Sequence, residues 1–299
     1  MLRLSLAALL ITPVALPISA PALAAAPVHL PTRFSVVVEG HGPDVILIPG
    51  LSSTRDVWAA TAADLRGRYR VHMVQLKGFG EPAGANASGP VLRPFVDDLA
   101  TYIRANRLKQ PAVIGHSMGG LAALMLGTGH PGVASRIMVV DSLAFIGPLF
   151  GAADVAAVTP RAGAMRAMML ARPGQTTPDF TLKPDCPGAE PVPSGEATMT
   201  NSALGACLVG YGGRVSDPRV VAQAMFDDMV TDMRGEVGRI QVPLTVLHAG
   251  PRDGDYGKLY TASYAGKVGV KLVGIPGSAH FIMQDQPRQF AEQVSAFLR

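Results

Sequence analysis

Seven short apolar runs constrain this chain more than any other feature. They are FSVVVEG (34–40), DVILIPG (44–50), YRVHMVQL (69–76), PAVIGHS (111–117), RIMVVDS (136–142), VPLTVLHAG (242–250) and GVKLVGIPG (269–277). Each is rich in Val, Ile or Leu and too continuous for a half-exposed antiparallel sheet. Near-continuous apolar strands are buried on both faces, which implies a mostly parallel sheet covered by helices. The segments between them agree. In RPFVDDLATYIRANR (93–107), Phe95, Val96, Leu99, Tyr102 and Ile103 recur at helical spacing, and 118–130 and 286–299 also read as helices. Alternating strands and helices predict a doubly wound α/β fold.

The alternation fails after residue 142. AGAMRAMMLARPG (162–174) and DPRVVAQAMFDDMVTDM (217–233) are helical in pattern, and the passage between them is rich in Pro and Gly. So irregular a passage cannot supply a buried strand. The stretch 143–241 therefore reads as an inserted cap over the carboxyl edge of the sheet. Core segments 25–142 and 242–299 flank it. Within it, Met165, Met168, Met169, Phe226, Met229 and Met233 either line an apolar pocket or pack the cap onto the core.

The first 24 residues read as an export signal. Arg3 precedes an apolar run from Leu4 to about Leu16, and Ala22-Leu23-Ala24 fits the small-x-small cleavage site. Pro13, Pro17 and Pro21 interrupt the run, and its unbroken core is shorter than the roughly 20 residues of a spanning helix, so no stable membrane anchor is expected. The expected location is secreted or periplasmic. Export makes a disulfide between the chain's two cysteines, Cys186 and Cys207, the expected pairing. A net charge of +4 with no Lys/Arg run argues against a nucleic-acid partner.

The chemistry centres on AVIGHSMGG (112–120). A strand, then Gly-x-Ser-x-Gly, then a helix is the setting of a nucleophile elbow. Gly115 and Gly119 remove the side chains that would collide at so sharp a turn. Ser117 is thereby exposed at the sheet's carboxyl edge and at a helix N-terminus, whose positive dipole end favours an anion. A serine hydroxyl needs a base. His280, in GSAHFIMQDQP after the last strand, is the candidate; His72 and His248 lie inside apolar runs and read as core or supporting residues. An acid must orient the imidazole. Asp253, on the loop after 242–250, is assigned that role from the chain order Ser, acid, His. Asp255 and Asp141 are its rivals. Backbone N–H groups of Met118 and Leu51 are the expected oxyanion donors. GFGEPA (78–83) fits a dinucleotide fingerprint only superficially: Glu81 would face a pyrophosphate and Pro82 lacks an N–H, so no nucleotide cofactor is expected. The chemistry calls for no metal or other cofactor.

PGLSS (49–53), GFGEP, GHSMGG, the Asp253 loop and GSAHFIMQDQP ahead of FAEQVSAFL together resemble the α/β-hydrolase fold family, over roughly residues 34–141 and 242–299. The resemblance implies a mostly parallel eight-stranded sheet with Ser117, Asp253 and His280 as triad. Pro49-Gly50 stands where members commonly carry His-Gly, and Gln75 where many carry Asp. Serine at position 117 sets the chain apart from haloalkane dehalogenases and epoxide hydrolases, which use Asp there. The expected activity is that of a serine hydrolase acting on a small-molecule carboxylic ester or related acyl bond. The alternatives are a serine exopeptidase resembling prolyl aminopeptidases, with Glu190, Glu196 or Asp232 binding a free amine; a cofactor-free perhydrolase or C–C hydrolase; and a non-catalytic ligand sensor.

Overall fold

A computed structural model describes residues 30–172, 178–186, 199–250 and 254–299. The expected export signal, Glu190, Glu196 and Asp253 lie outside the described residues. In chain order the core holds β1 (Phe34–Glu39), β2 (Asp44–Ile48), α1 (Ala59–Leu65), β3 (Arg70–Leu76), α2 (Leu92–Ala105), β4 (Ala112–His116), α3 (Met118–Gly129) and β5 (Arg136–Val140). Three helices follow: α4 (Val155–Leu170), α5 (Ala203–Arg214) and α6 (Pro218–Met229). The core resumes with β6 (Leu244–Ala249), α7 (Asp255–Ser263), β7 (Lys271–Ile275), α8 (Ile282–Asp285) and α9 (Pro287–Leu298).

The strands form one sheet in the order β1-β3-β2-β4-β5-β6-β7, parallel except for β1 against β3. Among the described residues it has seven strands rather than the expected eight, one for each apolar run. β1 departs from its reading as a buried strand. As an edge strand it leaves Val37 and Val38 40% and 45% exposed.

Period-2 alternation splits the interior into two layers. On one face Val45 and Leu47 pack with Leu65, Phe290 and Val294 of α1 and α9. On the other, Ile46 and Ile48 pack with Leu99 and Leu121 of α2 and α3. Helix α3 is buried from Met118 through Leu126, as a central helix under a covering layer must be.

Between β5 and β6 the described residues contain helices and no strand. α4 and α6 pack through their own small core of Phe145, Val158, Ala162 and Met229, with Met165 and Phe226 against it. Packing is thus the role of these methionines, while Met168 is 66% exposed. Helix α5 was not legible as a period; its marker is Ser202, whose side chain accepts the Gly205 N–H as an N-cap. Cys186 and Cys207 are disulfide-bonded with their Cα atoms 5.8 Å apart.

The GFGEP loop fastens this insertion to the core. The Gly80 N–H donates to the Val215 carbonyl at 2.8 Å, and the Asp217 N–H to the Gly78 carbonyl at 2.7 Å. A Cβ on Gly78, whose φ is +99°, would lie 2.7 Å from the Val220 side chain of α6. The glycines therefore serve close backbone approach, with the Gly78 N–H spent on the Glu81 carbonyl.

Candidate active site

Strand β4 turns into α3 through a single residue. Ser117 has φ +55° and ψ −129°, a conformation L-residues rarely adopt and which is held only where its surroundings enforce it. The enforcement is visible. The Ser117 N–H donates to the Val140 carbonyl of β5 at 2.9 Å. A Cβ on Gly115 would meet the Gly119 carbonyl oxygen at 2.1 Å, and one on Gly119 would meet the carbonyl oxygens of Ile48 and Pro49 at 2.5 Å. Both glycines are sterically required.

The loop after β2 lies directly on this turn: a Cβ on Gly50 would sit 2.8 Å from the Ser117 Cβ. Leu51, next in the chain, and Met118, the first residue of α3, are therefore neighbours of the serine, where backbone N–H donors are wanted. The Ser53 N–H closes this loop onto the Gly50 carbonyl at 3.3 Å.

His280 is placed by four hydrogen bonds. The His116 Nε2–H donates to the His280 carbonyl at 3.0 Å, and the two rings lie 4.6 Å apart. The Ala279 N–H donates to Asp285 Oδ2 at 2.7 Å, and the Phe281 N–H to the Met199 carbonyl at 3.1 Å. The fourth is on the ring, where Nδ1 donates to Asp141 Oδ2 at 2.7 Å.

Asp253, the acid expected from the sequence, lies outside the described residues; among the described carboxylates it is Asp141 that meets this nitrogen. Nδ1 is satisfied by Asp141, the first residue after β5, and Asp255 lies at the start of α7 with a fully exposed side chain beside Lys258. Asp141 is built for the position. Its φ is +48°, its Oδ1 accepts the Ala249 N–H at 2.9 Å and the Tyr260 hydroxyl at 3.0 Å, and its side chain is only 7% exposed. Burial pushes its carboxyl up, but hydrogen bonding and charge from His280, with the Ala249 and Tyr260 donors, outweigh burial and hold it below the usual carboxylate range.

Two further residues escaped the sequence reading. Burial pushes His116 down to about 3, with the charge of His280 adding to the effect, so it is a neutral ring that props the His280 backbone. Asp285 accepts from Ala279 and Asn201, tying the histidine loop to the insertion. His248, as expected, is a buried supporting residue, stacked on Tyr260 at 4.9 Å.

Ser117, Met118, Asp141 and His280 share one cavity of about 480 Å³. Leu143, Ile146, Leu149, Phe150 and Met199 supply its apolar wall, and Asp228 of α6 reaches it as well. The serine hydroxyl and the imidazole are not hydrogen-bonded to each other in this arrangement, a contact that commonly tightens when substrate binds. A second hollow of about 500 Å³, between α1 and α9, has no histidine among its lining residues.

Residues 45–293 match a family model described as the alpha/beta hydrolase family. A pimeloyl-[acyl-carrier protein] methyl ester esterase of Vibrio atlanticus is 32% identical over 116 residues, 39% of this chain and 41% of that protein. The enzyme of the same description from Aeromonas hydrophila is 34% identical over 122 residues, 40% and 45% of the two chains. The chain thus spans less than half the length of these curated relatives. Solved structures share the fold over more of their length. An esterase of Thermogutta terrifontis aligns with a TM-score of 0.69 at 18% identity, covering 90% of this chain and 97% of its own. An enol-lactonase of Burkholderia xenovorans aligns at 0.65 and 17%, covering 89% and 96%. The strained serine turn, the sheet order and a family model spanning five-sixths of the sequence converge: the chain belongs to the alpha/beta hydrolase family.

Proposed function

We propose that the protein is a serine hydrolase that cleaves a carboxylic ester or related acyl bond, with Ser117 as nucleophile, His280 as general base and Asp141 as the acid. The observation that carries this reading is that one cavity is shared by a serine in a strained turn and a histidine whose Nδ1 is held by a buried carboxylate. With Nδ1 donating to Asp141, the neutral ring presents Nε2 as its basic atom.

Ser117 Oγ attacks the acyl carbon while Nε2 takes the hydroxyl proton. The carbonyl electron pair moves to oxygen, where the N–H groups of Leu51 and Met118 receive it. As that pair returns, the bond to the leaving alcohol breaks and His280 gives the alcohol its proton. Water then repeats the sequence on the acyl-enzyme, releasing the carboxylic acid and restoring the serine. Asp141 stays ionised throughout and stabilises the imidazolium. One oxyanion donor in such a site is worth about 3–4 kcal/mol.

The esterases among its relatives favour an ester over a peptide bond, and the exopeptidase reading loses one of its candidate amine-binders. Asp232 is paired with Arg234 at 2.6 Å and is not among the residues lining the cavity. The leader-like first 24 residues and the disulfide support an exported protein, since oxidising compartments preserve such bonds.

The test is fluorophosphonate labelling followed by peptide mapping, with turnover of a p-nitrophenyl ester series and of amino-acyl nitroanilides. The adduct is expected on Ser117, and esters should outpace nitroanilides. An unlabelled Ser117 with neither panel turned over would end the enzyme reading.

A further inference from the structure

The cavity contains a carboxyl group that the proposed mechanism does not use. Asp228 lies in the last turn of α6, is 9% exposed, and lines the same space as Ser117 and His280. Its Oδ1 is sealed from solvent, and among the described residues its side chain has no hydrogen-bond or ion-pair partner. Buried polar groups without partners are rare and costly, so one facing a reaction cavity calls for a partner that arrives with the ligand.

The surroundings fix which form of the carboxyl waits there. Across the cavity, Asp141 is occupied by His280, and α7 contributes Tyr256 and Tyr260. Beside it on α6, Asp227 receives the N–H groups of Val91 and Leu92 at the start of α2. From α4, Arg166 is hydrogen-bonded to Gln223 and stacked over Phe226. Among the described residues no cation or donor is joined to Asp228, while a second carboxylate, Asp141, lines the same cavity. Burial, with the Asp227 charge adding to it and His280 opposing, pushes the Asp228 carboxyl up to about 7.

We infer that Asp228 is a specificity-determining residue which, as the neutral acid, donates a hydrogen bond to an acceptor oxygen on the substrate's acyl chain. The site would then select acyl chains bearing a second oxygen function, such as a ketone, over plain alkyl chains of the same length. This rests on the hydrolase reading above, and adds the class of substrate.

The experiment uses the purified full chain and two matched p-nitrophenyl esters, hexanoate and 5-oxohexanoate, from pH 5.5 to 8.5. The quantity read is the ratio of their kcat/KM values, in which the ionisation of His280 cancels. The wild type should favour the oxo-ester about fivefold to tenfold at pH 5.5, the worth of one buried neutral hydrogen bond. The preference should decay toward unity as pH rises through about 7. Asp228→Asn keeps a donor but cannot titrate, so its preference should persist at every pH. Asp228→Leu should show a ratio of one throughout.

A second readout needs no catalysis. Asp228→Asn should raise Tm more at pH 8.5 than at pH 5.5, because only the wild type must hold a buried ionised carboxyl at the higher pH. A wild-type ratio of one, or a preference left intact in Asp228→Leu, would overturn the inference while leaving the hydrolase reading standing. So would an ammonium-bearing ester whose advantage grows with pH, which would make Asp228 an anion that binds amines. Failure of the wild type to label at Ser117 and to turn over hexanoate would remove the hydrolase reading and this inference with it.

Discussion

Aspartate–histidine pairs stand at opposite ends of the same sheet. At the amino edge, His72 of β3 lies 3.0 Å from Asp44 of β2 through Nε2, and its Nδ1 meets the Tyr102 hydroxyl at 2.8 Å. At the carboxyl edge, His280 meets Asp141 at 2.7 Å through Nδ1. The first ring is 3% exposed with both nitrogens taken, and Asp44 also receives Arg70 at 2.6 Å. The second is 23% exposed and faces a cavity shared with a strained serine. An aspartate beside a histidine is therefore not a catalytic device by itself. What separates the pairs is the end of the parallel strands on which each stands, and whether a ring nitrogen is left for a ligand.

The comparison can be broken most sharply by neutralising each acid. Asp141→Asn should lower kcat by about four orders of magnitude while the fold persists, because the amide favours the wrong imidazole tautomer. Asp44→Asn should leave kcat within a few-fold. It should instead cost stability, on the order of 3–5 kcal/mol for removing one partner of a buried charged cluster, read by chemical denaturation. Equal kinetic losses in the two variants would erase the distinction.

A smaller effect separates the insertion from the core. The Cys186–Cys207 bond closes a loop with a separation of 21 residues. Reducing it should cost about 3 kcal/mol by loop entropy. The loss should appear first in the insertion, measured by hydrogen exchange of α5, and should spare the Asp44–His72 edge.

The last expected effect is a slope, small per pH unit. His116 has its ring pushed down to about 3 from an ordinary 6.5, so between those values the unfolded chain binds a proton that the folded chain refuses. Stability from this residue is complete above about pH 6.5 and falls by about 1.4 kcal/mol per unit as pH drops toward 3. His72, pushed down by burial, acts in the same direction. Asp228 opposes them, since its raised carboxyl favours the folded state as pH falls from about 7 toward 3.8. His116→Asn should therefore flatten the acid side of the stability profile, measured by denaturation from pH 6 to pH 4.

Much of this was legible in the sequence, for physical reasons. Seven apolar runs gave the strands because burial on both faces leaves no room for polar residues. Gly115 and Gly119 announced the turn at Ser117 because no side chain fits there. The acid was harder. Chain order admits any carboxylate between the serine and the histidine, and both Asp141 and Asp253 follow an apolar run in the sequence. Only register decides: Asp141 follows β5, whose Val140 receives the Ser117 N–H, so the turn and the acid are built on one strand. Asp228 was invisible because a carboxylate on an amphipathic helix reads as solvated until the packing of α6 is known. The methionine stripes read as pocket or packing; Met165 and Met229 pack α4 against α6, whereas Met168 is exposed.

In the proposed mechanism Asp141, rather than the later carboxylate, orients His280. The most direct test is kcat/KM on a p-nitrophenyl ester for Asp141→Asn and Asp253→Asn, prepared in parallel with their Ser117 labelling rates. The account predicts a loss of about 10⁴ for Asp141→Asn and a change within a few-fold for Asp253→Asn. A large loss in Asp253→Asn alone, with Asp141→Asn near wild type, would contradict it.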